Sequence, residues 1–188
     1  QIKNMTTREH ILKTADDLIR DKGYNAFSFV DIANTVGIKK ASIYHHFPHK
    51  SDLGVAVVRY HIENLNKLMA EYKSQSPIEK LEAFFQIHSH ILFDKKVCLV
   101  GSLTPDSNTL DTSIIEELKK FAELMLNWVT DFLEEGRNSG VFHFKILPRT
   151  KALLIISNMV AIVPITRITE ENDFKLIKEA IKEELLIK

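Results

Sequence analysis

Apolar residues return every three or four positions along almost the whole chain, and the strict alternation of a half-buried strand is nearly absent. This pattern predicts helices throughout, about nine of them. The first opens at Thr6, where Thr6 and Glu9 have the spacing of a capping box; it buries Ile11, Ala15, Leu18 and Ile19 and stops at Lys22-Gly23. Ser28 and Asp31 repeat the box ahead of a short helix that ends at Val36-Gly37. A third short helix over residues 40–47 halts before Pro48. Next comes a long helix over residues 50–73, with Leu53, Val57, Tyr60, Asn64 and Leu68 on one stripe. At ~1.5 Å per residue it spans roughly 35 Å, long enough to connect a head to a body.

Ser74-Gln75-Ser76-Pro77 is the clear linker, with Pro77 suited to a first helical turn. The helix that follows, to about residue 94, carries Ile78, Leu81, Phe85, His88 and Leu92 on one stripe and Phe84, Ile87 and Ile91 on another, which predicts a central helix. An irregular piece over residues 97–108 precedes a helix in which Ile114, Leu118, Phe121, Met125, Trp128 and Phe132 alternate spacings of four and three. Arg137-Asn138-Ser139-Gly140 ends it. Residues 141–146 connect to the most apolar helix, from Pro148 to about residue 167, and an amphipathic last helix carries Phe174, Ile177, Ile181 and Leu185. The expected architecture is all-α. A three-helix head over residues 1–49 is joined through helix 50–73 to a helical body over residues 50–188.

Composition narrows the class. Of 188 residues 45% are apolar and 27% charged, with only six Gly and five Pro, which excludes collagen-like and disordered chains. The single cysteine, Cys98, excludes an internal disulfide framework and a Cys-based zinc site, and points to a reducing cytosol. The longest apolar stretch, residues 152–165, is fourteen residues broken by Ser157, Asn158 and Pro164, short of the ~18 that a membrane span needs. With no basic-then-apolar leader after Gln1, the expectation is a soluble, cytoplasmic protein without a membrane partner. Basic and acidic residues balance at 25 each. Residues 1–60 nevertheless hold nine Lys/Arg against six acids, and the remainder sixteen against nineteen. A basic head on an acidic body is the distribution of a polyanion-binding module attached to a separate domain.

The head holds the motif. In Asp31-Ile32-Ala33-Asn34-Thr35-Val36-Gly37-Ile38-Lys39-Lys40-Ala41-Ser42-Ile43-Tyr44, alanine lets two short helices approach, Gly37 turns the chain, and Val36, Ile38 and Ile43 pin the pair. That is the logic of a helix-turn-helix, whose second helix lies in the major groove of DNA. Lys39 and Lys40 stand where an isolated helix prefers Ser or Asp, so their charge opposes the helix dipole and points to phosphate. Ala41, Ser42, Tyr44 and His45 are the groups placed to approach bases or backbone, and Lys50 begins the next helix.

The run Val36-Gly37-Ile38-Lys39-Lys40-Ala41-Ser42-Ile43-Tyr44-His45-His46-Phe47-Pro48-His49-Lys50-Ser51-Asp52-Leu53 resembles the N-terminal motif of TetR/AcrR-family transcriptional regulators. With helix one, Gly23 and Phe27, the likeness covers about residues 6–55. It implies a homodimeric DNA-binding repressor whose divergent helical C-terminal half binds a small effector. By the same likeness Tyr44, His45 and Lys50 are expected to contact DNA, with Lys40, Ala41 and Ser42 at the groove. Lys39 and the hydroxyls of Thr6 and Ser28 complete the candidate DNA-binding set. The chain departs from the family at Lys39, where Ser or Thr is common, and at His49, where a small polar cap is common.

The body supplies two further sets. Phe84, Phe85, His88, Phe93, Cys98, Phe121, Met125, Trp128 and Met159 are candidates for an effector pocket, large flat side chains with few polar groups. Leu153, Ile156, Val160, Val163, Ile177 and Ile181 are candidates for a dimer seam of two helices and their copies. The two recognition helices would then sit about 34 to 36 Å apart on a near-palindromic operator. His45, His46 and His49 cluster, but adjacent histidines point to different helix faces, and His88 and His90 diverge by about 200°. No metal or cofactor is expected. No nucleophile elbow or phosphate loop supports an enzyme. Two other readings stay open: a family member that senses electrophiles or redox state through Cys98, and a helical interaction protein that has lost DNA binding.

Overall fold

The computed structural model describes residues 5–170 and 172–186. Its order is α1 (Thr7–Lys22), a 3-10 turn (Tyr24–Ala26), α2 (Phe29–Val36), α3 (Lys40–His46), α4 (Lys50–Glu71), α5 (Pro77–Phe93), α6 (Leu99–Leu103), a second 3-10 turn (Thr104–Asp106), α7 (Thr112–Asn138), α8 (Pro148–Ile165) and α9 (Asn172–Leu186). Among the described residues there are nine α-helices and no strand, the all-α class expected. Both capping boxes form, Thr6 with Glu9 and Ser28 with Asp31, and a third joins Ser76 to Glu79 with Pro77 in the first turn of α5. Gly37 ends α2 in the left-handed conformation, φ 76°, and its N–H returns to the Ala33 carbonyl. A side chain there would be strained, which is why glycine marks this turn.

Packing divides the chain into two compact units. One takes the chain up to Asn64 together with Cys98–Phe121; the other takes Leu65–Val97 and the chain from Ala122 onward. This differs from the expected boundary after residue 49, and the apolar pattern shows why. Leu53, Val57 and Val58 of α4, Leu99 and Leu103 of α6, and Ile114 and Leu118 of α7 are all buried in one cluster with Ile11, Ile19, Ile32, Ile43 and Phe47. The expected irregular piece at residues 97–108 is in fact α6 and the second 3-10 turn. Its five-residue helix is capped by a thiol, Cys98 Sγ accepting the Gly101 N–H at 3.2 Å, a cap that composition does not announce.

Charge pairs tie the helices of the first unit. Asp16 of α1, buried, receives His61 Nε2 of α4 at 2.6 Å and Arg20 at 3.4 Å. Burial alone would raise its carboxyl pKa, but the His61 and Arg20 interactions outweigh that and hold it below the ordinary value. Glu117 of α7, also buried, is held by Arg59 of α4 at 3.0 Å and by Lys120 at 2.8 Å.

In the second unit α8 packs on α5 and α9. Lys151 of α8 is 3% exposed and reaches Glu184 of α9 at 2.6 Å, while Lys80 of α5 pairs with Glu135 of α7 and Lys182 of α9 with Glu82 of α5, each at 2.6 Å. At eighteen residues α8 is longer than the fourteen-residue stretch read from the sequence, and it meets the length and composition of a membrane span. One side of it, Ala152, Ile155, Met159, Ile162 and Val163, is buried within the second unit, and its buried Lys151 pairs with the exposed Glu184; Leu153, Leu154 and Ile165 are left uncovered.

Gly54 is where α4 is let into the first unit. A Cβ there would lie 2.6 Å from Ile114 Cδ1 and 3.1 Å from Tyr24 Cε2, both belonging to buried side chains. Gly54→Ala gains about 1 kcal/mol in helix propensity and loses more to overpacking, so a net destabilisation of about 1–2 kcal/mol is expected. A thermal melt should show the midpoint falling by several degrees; a midpoint that holds or rises would contradict this packing.

Candidate nucleic-acid interface

Helix α3 has one dry face and one wet one. Ile43 within it is fully buried and Phe47 just beyond it is 2% exposed, while Lys40, Ala41, Tyr44 and His45 are exposed. Those four positions are related by one and four residues, so they share a stripe opposite the core contacts. Tyr44 is 48% exposed; its ring stands edge-on to the buried Phe29 at 5.1 Å, and Lys40 Nζ lies 5.6 Å from its centroid. Tyr44 is thereby held at its base by α2 while its hydroxyl end is free for solvent or a partner. Ser42, half-buried, is the least available of the expected groove residues.

The entry to α3 carries charge and no cap. Lys39 occupies the N-cap with extended dihedrals and makes no side-chain cap bond. Thr6 and Ser28 are engaged otherwise. Each hydroxyl donates to the carboxylate of its capping box, Thr6 to Glu9 at 2.9 Å and Ser28 to Asp31 at 2.7 Å, so the helix starts are their first function.

Lys50 is not a free surface cation. Its ammonium donates to the Tyr24 carbonyl at 2.7 Å and to the Phe27 carbonyl, and it lies 4.6 Å and 4.2 Å from the centroids of those two rings. Burial lowers its pKa, opposed by the carboxylates of Asp106 and Asp31. Burial, with Asp111 and Asp52, pushes the Tyr24 phenol up to about 12. An ammonium has three N–H donors, so one is left without an acceptor among the described residues. An open cleft of ≈ 440 Å³ is lined there by Phe27, Ser28, Phe29, Lys40, Tyr44, Pro48, His49 and Lys50. Two ammonium groups and a phenol around an open concavity have the chemistry to receive an anion such as a phosphate, while the Ser28 hydroxyl there is already spent on Asp31. Of the residues expected from the sequence, Lys40, Tyr44 and Lys50 come together at this cleft, and the sequence did not show what places them. Phe29 and the carbonyls of Tyr24 and Phe27 hold the contact groups from behind, and Arg8 lies 4.9 Å from the centroid of the Phe47 ring.

The family model described as "Bacterial regulatory proteins, tetR family" matches residues 11–57. The HTH-type transcriptional regulator AcrR of Shigella flexneri is 34% identical over 46% of this chain and 40% of its own length. The negative regulator IcaR of the biofilm operon icaADBC, from Staphylococcus aureus, is 27% identical over 69% of this chain and 71% of its own. A TetR transcriptional regulator of Legionella pneumophila is 32% identical, and its crystal structure superposes with a TM-score of 0.85 over 98% of this chain and 100% of that one. The chain belongs to the TetR family.

The C-terminal half of this TetR-family regulator redistributes the expected pocket set. Phe84, Phe85, His88, Trp128 and Met159 are buried in the second unit and Met125 is half-buried. Phe93, by contrast, is 85% exposed at the last residue of α5, so it lines no interior. Cys98 and Phe121 fall in the first unit, where Cys98 caps α6 and the Phe121 ring meets His61 at 6.0 Å. Burial raises the Cys98 pKa, which makes its thiolate scarce. The expected seam set divides as well. Val163 and Ile181 are buried within this chain, Ile156, Val160 and Ile177 are half-buried, and Leu153 is 47% exposed. The uncovered apolar residues are Leu153, Leu154 and Ile165 on α8 and Leu176 and Leu186 on α9.

His88 is the polar group of the aromatic cluster. Its Nδ1 donates to the Phe84 carbonyl at 3.2 Å and its ring centre is 4.8 Å from that of Phe84. Burial drives its pKa from 6.5 down to about 4, against the carbonyl bond that favours the proton. Between these values the unfolded chain binds the proton and the folded chain does not, so stability is complete above about pH 6.5 and declines as pH falls toward 4. From pH 7 to 5 the loss is expected to be about 2 kcal/mol. Urea unfolding of the wild type and His88→Leu at both pH values checks it: the leucine variant should lack most of that decline, and equal declines would show the ring is not buried neutral.

Proposed function

We propose that this protein is a cytoplasmic, homodimeric repressor that grips a near-palindromic operator with α3 of each protomer and is released by a small-molecule effector bound in the C-terminal half. The observation that carries the DNA-binding part is the solvent-facing stripe Lys40, Ala41, Tyr44 and His45, preceded by an uncapped Lys39 and backed by the cleft that Lys50 lines. Recognition through the first residues of such a helix, with cations on flanking phosphates, is the way a helix-turn-helix reads the major groove. The likeness to IcaR, a negative regulator, supports repression. The uncovered leucines and isoleucine of α8 support a second copy as partner, since fewer than half the residues of this very apolar helix are buried within one chain. Effector and operator oppose each other by linkage: whatever the ligand does to DNA affinity, DNA does equally to ligand affinity.

Selection of duplexes from a randomised pool by the purified protein tests the reading, followed by binding measured across salt concentrations. A single palindromic consensus with a steep salt slope is expected. Sequence-blind binding, or none, would favour an interaction protein instead. Tyr44→Phe, which keeps the ring on Phe29 and removes only the exposed hydroxyl, should weaken binding without altering the thermal midpoint. Lys39→Ser separates the two roles of that position. It should raise stability by about 0.5–1 kcal/mol by restoring a cap, yet weaken operator binding and flatten the salt slope by about one. Leu154→Glu should yield monomers on sedimentation, and a persistent dimer would place the seam elsewhere.

A further inference from the structure

The second 3-10 turn and the residues after it reach back to the turn that holds Lys50. Asp106 Oδ2 accepts the backbone N–H of Asn25 at 3.2 Å, and the Asn25 amide donates to Thr109 Oγ1 at 2.7 Å. Thr109 Oγ1 in turn donates to the Asp106 carbonyl at 2.9 Å, so Asp106, Thr109 and Asn25 close a ring of hydrogen bonds across more than eighty residues of sequence. Asn25 is the central residue of the 3-10 turn Tyr24–Ala26, and the carbonyls on either side of it, Tyr24 and Phe27, are the two acceptors of the Lys50 ammonium. All these residues belong to one compact unit. An ammonium bonded to two fixed carbonyls can send its remaining N–H in only one direction. Where it points is decided by where those carbonyls sit, and their turn is fastened at its middle by Asp106 and Thr109.

We infer that Asp106 is a positioning residue for operator binding: with Thr109 it clamps Asn25, and through the Tyr24 and Phe27 carbonyls it aims the third N–H of Lys50 into the cleft where a DNA phosphate sits. This rests on the operator-binding reading above. It assigns an acidic residue outside the helix-turn-helix motif a favourable part in binding a polyanion. Charge alone demands the reverse, since an anion beside the site repels phosphate.

The test uses the full-length protein and a duplex chosen by the wild type from a randomised pool. Affinity and its salt dependence are measured for the wild type, Asp106→Asn, Asp106→Ala, Lys50→Met and the Asp106→Ala/Lys50→Met double variant, with a thermal melt of each. Asparagine keeps a carbonyl oxygen for the Asn25 N–H and sheds the charge, so binding should be unchanged or a few-fold tighter. Alanine sheds the clamp as well. Although it also removes an anion, it should weaken binding about tenfold, the scale of one charge-assisted hydrogen bond, and flatten the log–log salt slope by about one. In the Lys50→Met background the Asp106→Ala loss should vanish, because the ammonium it aims is gone. Equal losses in both backgrounds, an unchanged slope, or asparagine as damaging as alanine would each overturn the assignment. Should the alanine variant fail to fold, Thr109→Val cuts the other half of the clamp without touching charge, and a several-fold loss confined to the Lys50 background is expected there too. A pool from which the wild type retains no duplex would overturn the DNA-binding reading itself, before Asp106 is in question.

Discussion

Burial of Leu53, Val57 and Val58 fastens the first turns of α4 into the same apolar cluster as α1, α2 and α3. The rest of the candidate interface follows from it. With α4 fixed there, Lys50 at its first position is delivered beneath the Tyr24–Phe27 turn, and the two carbonyls it finds make that turn and the helix start one piece. Gly54 permits the approach by having no side chain to strike Ile114 or Tyr24. Leu99, Leu103, Ile114 and Leu118 enter the same cluster, so the DNA-binding head draws on sequence far beyond its motif. Buried apolar side chains therefore set the frame, and the polar groups at the surface inherit their geometry from it.

Helix starts were legible in the sequence because capping is local. Thr6 with Glu9 and Ser28 with Asp31 are each three residues apart, and both boxes form. Apolar stripes with helical spacing likewise gave α4, α7 and α9 to within a few residues at their ends. What escaped was non-local. Nothing in the run around residues 97–108 marks α6 as a helix of the head, because five residues carry little periodicity and its cap is a thiol. Nothing at Asp106 signals a partner at Asn25. Phe93 departs from the expected pocket set for a related reason. Periodicity places a residue on a helix face but not at a helix end, and Phe93, the last residue of α5, comes out 85% exposed.

Lys39 and Lys40 show stability and recognition in conflict. Positive charge at the start of a helix meets the positive end of its dipole, and the empty N-cap leaves backbone donors to water. A helix of seven residues cannot carry such costs alone. It is held by Ile43 and Phe47 in the core and by the Phe29–Tyr44 ring contact. An arrangement that opposes local stability persists when tertiary packing over-determines it, which leaves the exposed end of the helix to be composed for a partner.

The uncovered face of α8 bears on the proposed pairing with a second copy. Charges flanking the helix are satisfied within the chain, Arg149 by Glu123 at 3.2 Å and Lys151 by Glu184. From Ala152 to Thr166 there is no charged residue at all. In a two-fold interface each residue near the axis meets its own copy, so any charge there would face a like charge; a run without charge avoids that penalty. Ser157 and Ala161 lie between the exposed Leu153, Leu154 and Ile165, and their small side chains leave room for another helix to come close. Asn158, the most polar group on this face, already donates its amide to the Leu154 carbonyl at 2.7 Å. One of its two N–H donors is thereby spent within the helix, and around it α8 presents leucine and isoleucine among small residues, a surface that suits the proposed pairing with a second copy.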